Sequence, residues 1–320
     1  VIDPATFRDK GYYTDDMSPQ DIESAKRVYA MVSNIDDNVG KLIATLKEEG
    51  IYDNTLIIFL TDNGPQQSRY VGGFRGRKGQ VREGGIHVPF YLKMPDGKLS
   101  KKQIDTRAAH IDVLPTIAAL CNIELPNDLQ LDGLNLSTMI LEDKPIETRP
   151  LFFEWQRSFP EKYRNMTVIF DQHKLIANTD SDPPLADFEL YNITTDPFES
   201  NNIAIDNQKL VTELKNKIDT WHEDVMQSPH ILNLPRIVIG SSEEPHTILN
   251  RNDARGMQLI WDDDRIHVSW DLTVEKDGVF DIICHFRKPI PKPGDLVLRF
   301  GTQNITKTVA DENVQRIELS

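Results

Sequence analysis

Residues 56–89 read LIIFLTDNGPQQSRYVGGFRGRKGQVREGGIHVP, and the first nine decide the fold class. An unbroken apolar run, Leu56 to Leu60, stops at Thr61-Asp62-Asn63-Gly64. Continuous rather than alternating apolar residues mark a strand covered on both faces, as in the parallel sheet of an α/β protein. Functional groups in such sheets gather just beyond the carboxyl ends of the strands, where Asp62 and Asn63 stand. A carboxylate and an amide carbonyl are hard oxygen donors, suited to Ca²⁺ or Mg²⁺. The same residues serve equally well as a turn, because Asp, Asn and Gly all tolerate turn geometry.

The loop that follows carries Arg69, Arg75, Arg77, Lys78 and Arg82 in a chain of net charge −14. Such a cluster fits a multiply charged oxyanion; the plainer reading is a solvated cationic face. Glycines at 72, 73, 76, 79, 84 and 85 imply either a backbone that approaches something closely or one that takes positive φ.

Upstream, Ser18-Pro19-Gln20-Asp21 is a helix start, with serine as N-cap and proline at the first helical position. Ile22, Ala25, Val28, Tyr29, Val32, Ile35, Val39, Leu42 and Leu46 recur at helical spacing up to Gly50. This face is expected to lie on the sheet that contains the 56–61 strand. A second strand over 88–94 ends at Pro95-Asp96-Gly97, and Asp112 is expected to cap a helix through Cys121. Alternating helices and strands suit an α/β layer over residues 1–149.

Residues 150–228 change character. Leu151 to Glu154, Thr167 to Phe170 and Lys174 to Ala177 are short β-like runs, closed by a helix from Asn207 to Gln227 with Leu210, Leu214, Ile218 and Trp221 on one face. After a proline-rich and polar crossing, residues 246–320 read as all-β. There Ile266, Val268, Trp270 and Leu272 alternate with polar residues. Runs over 279–286 and 295–300 add strands, which suggests a β-sandwich-like region, whole or truncated. Its aromatic residues suit either a core or a sugar-binding surface.

The acidic balance argues against nucleic-acid partners, which need a basic face. No apolar run is long enough to cross a membrane. Cys121 and Cys284, the two cysteines, sit in apolar contexts and are expected to be buried thiols. The eight histidines show no HxH or HExxH spacing, which argues against a self-contained zinc motif; His110 and His173 are read as structural.

The ordered motifs resemble the C-terminal portion of type I sulfatases, in the alkaline-phosphatase superfamily, over residues 12–225. Thr61-Asp62-Asn63-Gly64, Arg75-Gly76-Arg77-Lys78-Gly79, Glu83-Gly84-Gly85 and Val88-Pro89 resemble that family's strand end and glycine loop. Tyr29 to Leu46 resembles the preceding helix, residues 110–120 the D-x-x-P-T segment, and Asp132-Gly133 the DG after it. Glu189-Leu190-Tyr191-Asn192 through Asp196-Pro197 and Glu199 to Asn202 resembles the ELYDLxxDPxExxN signature. Arg77 and His87 depart from the family's glycine and arginine.

The resemblance implies an alkaline-phosphatase-like α/β sandwich with a small antiparallel-sheet subdomain. It also implies hydrolysis of a sulfate ester, on a glycan or aryl compound, by a formylglycine nucleophile assisted by Ca²⁺. Asp62 and Asn63 match two of the metal ligands, and Lys78 matches the lysine beside sulfate and the leaving oxygen. Arg75 is expected at the substrate, whereas Gln66, Gln67, Arg69 and His87 suit either the substrate pocket or the surface. Asn63, where phosphatase and phosphodiesterase branches place histidine, favours the sulfatase branch.

Neither cysteine lies in the C/S-x-P/A-x-R motif that is matured to formylglycine, and the upstream Asp-Asp pair and H-x-P histidine are absent. The chain is therefore expected to be a C-terminal portion, inactive alone, from a bacterial periplasmic or extracellular enzyme. The alternatives are a phosphodiesterase or phosphonate hydrolase of the same superfamily, and a non-catalytic glycan-binding module.

Overall fold

The computed structural model describes residues 18–67, 71–97, 99, 101–156, 160–179, 183–233, 235–250, 253–254, 268–290, 293–311 and 313–319. Arg69, Ile266 and His267 lie outside these residues. The chain divides into two compact units, Val1–Ile231 and Leu232–Ser320.

The first unit opens with helix α1, Pro19–Glu48. Ser18 and Asp21 form a reciprocal capping box, in which the Asp21 amide donates to Ser18 Oγ at 3.1 Å and the Ser18 amide to Asp21 Oδ2 at 3.2 Å. Two orphan donors of the first turn are thus satisfied. The expected burial of its apolar stripe does not hold. Ala25 is buried, but Ile22, Val32, Ile35 and Leu42 are exposed.

Strand β1, Ile57–Leu60, explains why. It pairs antiparallel with β2, Phe90–Lys93, in a two-stranded sheet, with Leu60 opposite Phe90. Four-residue strands span roughly 13 Å, whereas a helix of 30 residues runs roughly 45 Å. So small a sheet face cannot cover such a helix. The same geometry corrects the reading of β1 as doubly covered and parallel: its residues are half-buried, and Phe59 is exposed.

Helix α2, Glu83–Ile86, interrupts the loop before β2. Helix α3, Val113–Leu120, follows, and then helix α4, Ser137–Glu142. Cys121, expected to be buried, is exposed, since it falls just past the end of α3. Cys284 is half-buried, and its burial pushes the thiol pKa up.

The best-packed part of the unit is a four-stranded antiparallel sheet, β3 (Leu151–Glu154), β4 (Met166–Phe170), β5 (His173–Ala177) and β6 (Glu189–Asn192), in that spatial order. Helix α5, Gln208–Val225, lies on it. Val211, Leu214 and Ile218 of α5 are fully buried against Met166, Val168, Leu175, Phe188 and Leu190. Each such side chain contributes about 1.5–3 kcal/mol of burial. Phe152 and Trp221 stack at 5.0 Å across the same interface.

The second unit is built of short ladders. β7 (Ile237–Ile239) pairs parallel with β8 (Leu272–Val274). β9 (Ile282–Ile290) pairs with β12 (Val314–Leu319), and β10 (Gly294–Phe300) with β11 (Gln303–Val309), both antiparallel. Val309, Ile317 and Leu319 form one apolar cluster with Ile282, Cys284, Leu296 and Leu298, drawn from both antiparallel ladders.

Candidate active site

Asp62 and Asn63 stand at the end of β1, and backbone contacts fold the glycine loop back onto them. The Gly64 amide donates to the Gly85 carbonyl at 2.8 Å, and the Lys78 amide to the Pro65 carbonyl at 2.9 Å. Close approach is what the glycines are for at this point. A Cβ on Gly64 would lie 1.9 Å from the Gly84 oxygen, and one on Gly84 would lie 2.5 Å from the Gly76 oxygen. His110 donates from Nε2 to the Thr61 carbonyl at 2.8 Å, bracing the strand end from the side of α3.

These contacts bring Lys78 Nζ to 3.9 Å from the Asp62 carboxylate, with both side chains open to solvent. The Asn63 amide nitrogen donates to the same carboxylate. Three of the residues expected at the site, Asp62, Asn63 and Lys78, are thus assembled. Arg75 is turned elsewhere: its Nη1 donates to the Glu199 carbonyl at 2.6 Å. His87 stacks on Phe74 at 4.7 Å, and Phe74 leans on Phe198 at 5.9 Å.

As cation ligands, the pair fits in kind but is small in number. Asp62 is exposed and Asn63 half-buried, and they offer only a few adjacent oxygens, whereas Ca²⁺ takes six to eight. Among the described residues, no group of three or more His, Cys, Asp or Glu side chains could hold a metal ion. By themselves the two residues would supply only part of a coordination sphere.

Three neighbours of the site were not legible from the sequence alone. Trp155, just past β3, lies over Gly79, so that a Cβ there would meet three indole atoms at 3.5 Å. Asn165 holds this contact by donating to the Gly79 carbonyl at 2.9 Å and the Trp155 carbonyl at 2.8 Å. Lys174 of β5 has a fully buried side chain, with Nζ 2.8 Å from Glu83 and 2.9 Å from Glu199. A lysine inside the apolar run of a strand was the available signal, because such a residue is almost never fully buried unless it is paired. The buried Glu83 responds: burial opposes its charge, yet the His87 hydrogen bond and the Lys174 ammonium outweigh it and hold the carboxyl at about 2.

The D-x-x-P-T segment proves to be a clamp. Asp112 occupies the cap position of α3, but its carboxylate does not cap that helix. It accepts from the Ala109 and Leu134 amides, both at 2.8 Å, and from Arg149. Thr116 Oγ1 accepts from the Leu136 amide at 3.0 Å. Gly133 lies so close to the Ile111 carbonyl that a Cβ would sit 1.9 Å from its oxygen. The motif and its DG are two sides of one contact.

Comparison with known proteins bears on the same residues. The Sulfatase family model matches residues 4–123, and the model of the N-sulphoglucosamine sulphohydrolase C-terminal domain matches residues 76–224. Human arylsulfatase A is 31% identical over 192 residues, covering 53% of this chain and 37% of that protein. The N-acetylgalactosamine-6-O-sulfatase of Bacteroides thetaiotaomicron is 25% identical over 217 residues, covering 59% and 40%. The chain thus spans well under half the length of these relatives. The crystal structure of Ps i-CgsB in complex with k-i-k-neocarrahexaose superimposes with a TM-score of 0.53 at 26% identity, covering 65% of this chain and 44% of that one. The putative sulfatase yidJ from Bacteroides fragilis superimposes with a TM-score of 0.50 at 25% identity, covering 64% of this chain and 43% of that one, in keeping with an alkaline-phosphatase-like fold. With the two family models spanning residues 4–224 and the strand end, glycine loop and small sheet all in place, the chain belongs to the sulfatase family.

Proposed function

We propose that this chain supplies one side of a sulfatase active site, in which Asp62 and Asn63 ligate a divalent cation, Ca²⁺ by preference, and Lys78 binds the sulfate group. The observation that carries the reading is the 3.9 Å approach of Lys78 to Asp62 at a strand end closed by the Gly64–Gly85 and Lys78–Pro65 hydrogen bonds. A cation on the Asp62 and Asn63 oxygens would draw charge from sulfate oxygens. The Lys78 ammonium is a compact point charge that suits an oxyanion and the negative charge growing on the leaving oxygen. Asn63 holds the Asp62 carboxylate through its amide nitrogen, leaving its own oxygen available to the cation. The nucleophile, a formylglycine by family expectation, would come from outside residues 1–320.

The substrate we assign is the sulfate ester of a sugar. Trp155 is 43% exposed and lies over the residue next to Lys78, which is how an indole offers its face to a pyranose ring. Two of the similar proteins named above support this reading, an N-acetylgalactosamine-6-O-sulfatase and a protein crystallised with k-i-k-neocarrahexaose.

The test is turnover of 4-nitrophenyl sulfate and of sulfated oligosaccharides. A polypeptide that carries these residues together with the nucleophile segment should lose at least about a hundredfold in kcat on Lys78→Ala, by loss of a charge contact made in the transition state. Asp62→Ala should weaken its Ca²⁺ response. Trp155→Ala should raise KM for the oligosaccharide and leave the aryl ester unaffected. Turnover by the purified chain alone, or equal Ca²⁺ affinity with and without the Asp62 carboxylate, would overturn the reading.

A further inference from the structure

We infer that Lys174 and Glu199, both remote from the strand end in sequence, are positioning residues for the Asp62–Asn63–Lys78 site; this rests on the proposed function of that site. Lys174 Nζ lies between the Glu83 and Glu199 carboxylates, at 2.8 and 2.9 Å, with Lys174 and Glu199 fully buried. Glu199 Oε2 also accepts from the Glu83 backbone amide at 3.2 Å, which places a carboxylate on the first N–H of α2. The Glu199 carbonyl accepts from Arg75 at 2.6 Å. Both ends of the glycine loop, Arg75 and Glu83, are therefore gripped by one residue of the small-sheet subdomain.

From Glu83 the hold passes directly to the site. Gly84 donates its amide to the Arg75 carbonyl at 2.6 Å, which closes the loop on itself. The Gly85 carbonyl receives the Gly64 amide, and Gly64 follows Asp62 and Asn63 without a break. One side-chain ion pair and one backbone hydrogen bond thus separate the buried ammonium from the segment that bears the cation ligands.

The energetics favour a geometric role. Burying one ammonium and two carboxylates is expensive, and apolar side chains of similar volume commonly give equal or greater stability. The hydrogen bonds from Lys174 to Glu83 and from the Glu83 amide to Glu199 instead set direction, each fixing an angle that methylenes would leave loose. Glu199 is also held at φ +53°, a conformation that costs a non-glycine residue energy and persists where the surroundings over-determine it.

The informative variant is Lys174→Met with Glu199→Gln. It conserves the net charge of the cluster, leaves Glu83 paired to His87 and keeps side-chain volumes. Lys174→Met alone leaves the fully buried Glu199 carboxylate without its cation and Glu83 with His87 alone, and is the control expected to unfold. In the purified chain, the double variant should melt cooperatively, with amide exchange of β4 and β5 unchanged. Exchange at Gly64, Lys78, Gly84 and Gly85 should accelerate at least tenfold. Uniform acceleration, or none, would overturn the proposal whether or not the site is catalytic. In a polypeptide that turns over 4-nitrophenyl sulfate, the double variant should lower kcat by about a hundredfold, the scale of a 1 Å misplacement, with KM within a factor of two. Unchanged kcat would also overturn it. Loss of activity on Lys174→Met with Glu199→Gln, but not on Lys78→Ala, would instead sink the site assignment.

Discussion

The Arg82 guanidinium meets both oxygens of the Glu189 carboxylate, at 2.6 and 2.8 Å, and so joins the residue before α2 to the first residue of β6. Tyr191 donates its hydroxyl to the same carboxylate. Burial works against the Arg82 charge, but Glu189 and Tyr191 outweigh it and raise its pKa. Both contacts come from Nη2; a lysine at position 82 keeps the charge but lacks the planar guanidinium that lies over the Tyr191 ring at 5.9 Å. Arg82→Lys should therefore cost about 1–3 kcal/mol, read as a lower midpoint in urea with an unchanged slope. An unmoved midpoint would mean that the shape of the guanidinium contributes nothing beyond its charge.

Two glycines predict opposite outcomes for one substitution. A Cβ at Gly84 would lie 2.5 Å from one carbonyl oxygen and 2.6 Å from another, in backbone that has no room to yield. Gly84→Ala should destabilise by about 1–3 kcal/mol or more. Gly40 sits exposed inside α1 with nothing within 4 Å of its Cβ position. Gly40→Ala should stabilise α1 by about 0.5–1 kcal/mol. Thermal melts of the two variants, run side by side, should move in opposite directions.

Asp112, 1% exposed, partners Arg149 and two backbone amides. Asp112→Ala leaves a guanidinium and two N–H groups without their acceptor, and should cost about 3–5 kcal/mol. Asp112→Asn keeps an oxygen for the amides and should recover part of that loss. Equal stability of the two variants would show that the charge, rather than the acceptor geometry, carries the clamp.

Acid should weaken the first unit in a defined window. Glu83 is held at about 2 in the fold against an ordinary value of 4.5, so the unfolded chain takes up its proton first as pH falls. Its contribution is complete above about pH 4.5 and is lost progressively toward pH 2. Glu189 and Asp219 act in the same sense: burial opposes their charge, but hydrogen bonds from Arg82 and from Tyr163 outweigh it. Urea titrations between pH 3 and 7 should show stability falling below pH 5, with a shallower fall for Glu83→Gln. An identical acid slope in that variant would remove Glu83 from the account.

Features whose partners lie a few residues away are legible in the sequence. Ser18, Pro19 and Asp21 announce the start of α1, and Leu210, Leu214 and Ile218 announce the buried face of α5. Asp62 and Asn63 stand at the strand end that the apolar run 56–60 implies. What escapes depends on partners far along the chain. The run 56–60 looks the same whether its neighbour is parallel or, as found, the antiparallel strand 90–93. Asp112 has the identity and position of a helix cap, and only the arrival of Leu134 and Arg149 redirects its carboxylate. Lys174 pairs with Glu83 across 91 positions of sequence, a distance over which no periodicity speaks.

Position 199 answers to two demands that pull toward different amino acids. Its backbone, at φ +53°, suits glycine or asparagine, while its side chain must carry a charge deep enough to reach Lys174 and the Glu83 amide. Glycine relaxes the chain and empties the pocket; aspartate accepts the backbone but is one carbon short; glutamine has the length without the charge. In a library of all twenty residues at this position, placed in a polypeptide that also carries the nucleophile segment, glutamate should stand alone in activity, with neighbours Phe198 and Ser200 far more permissive.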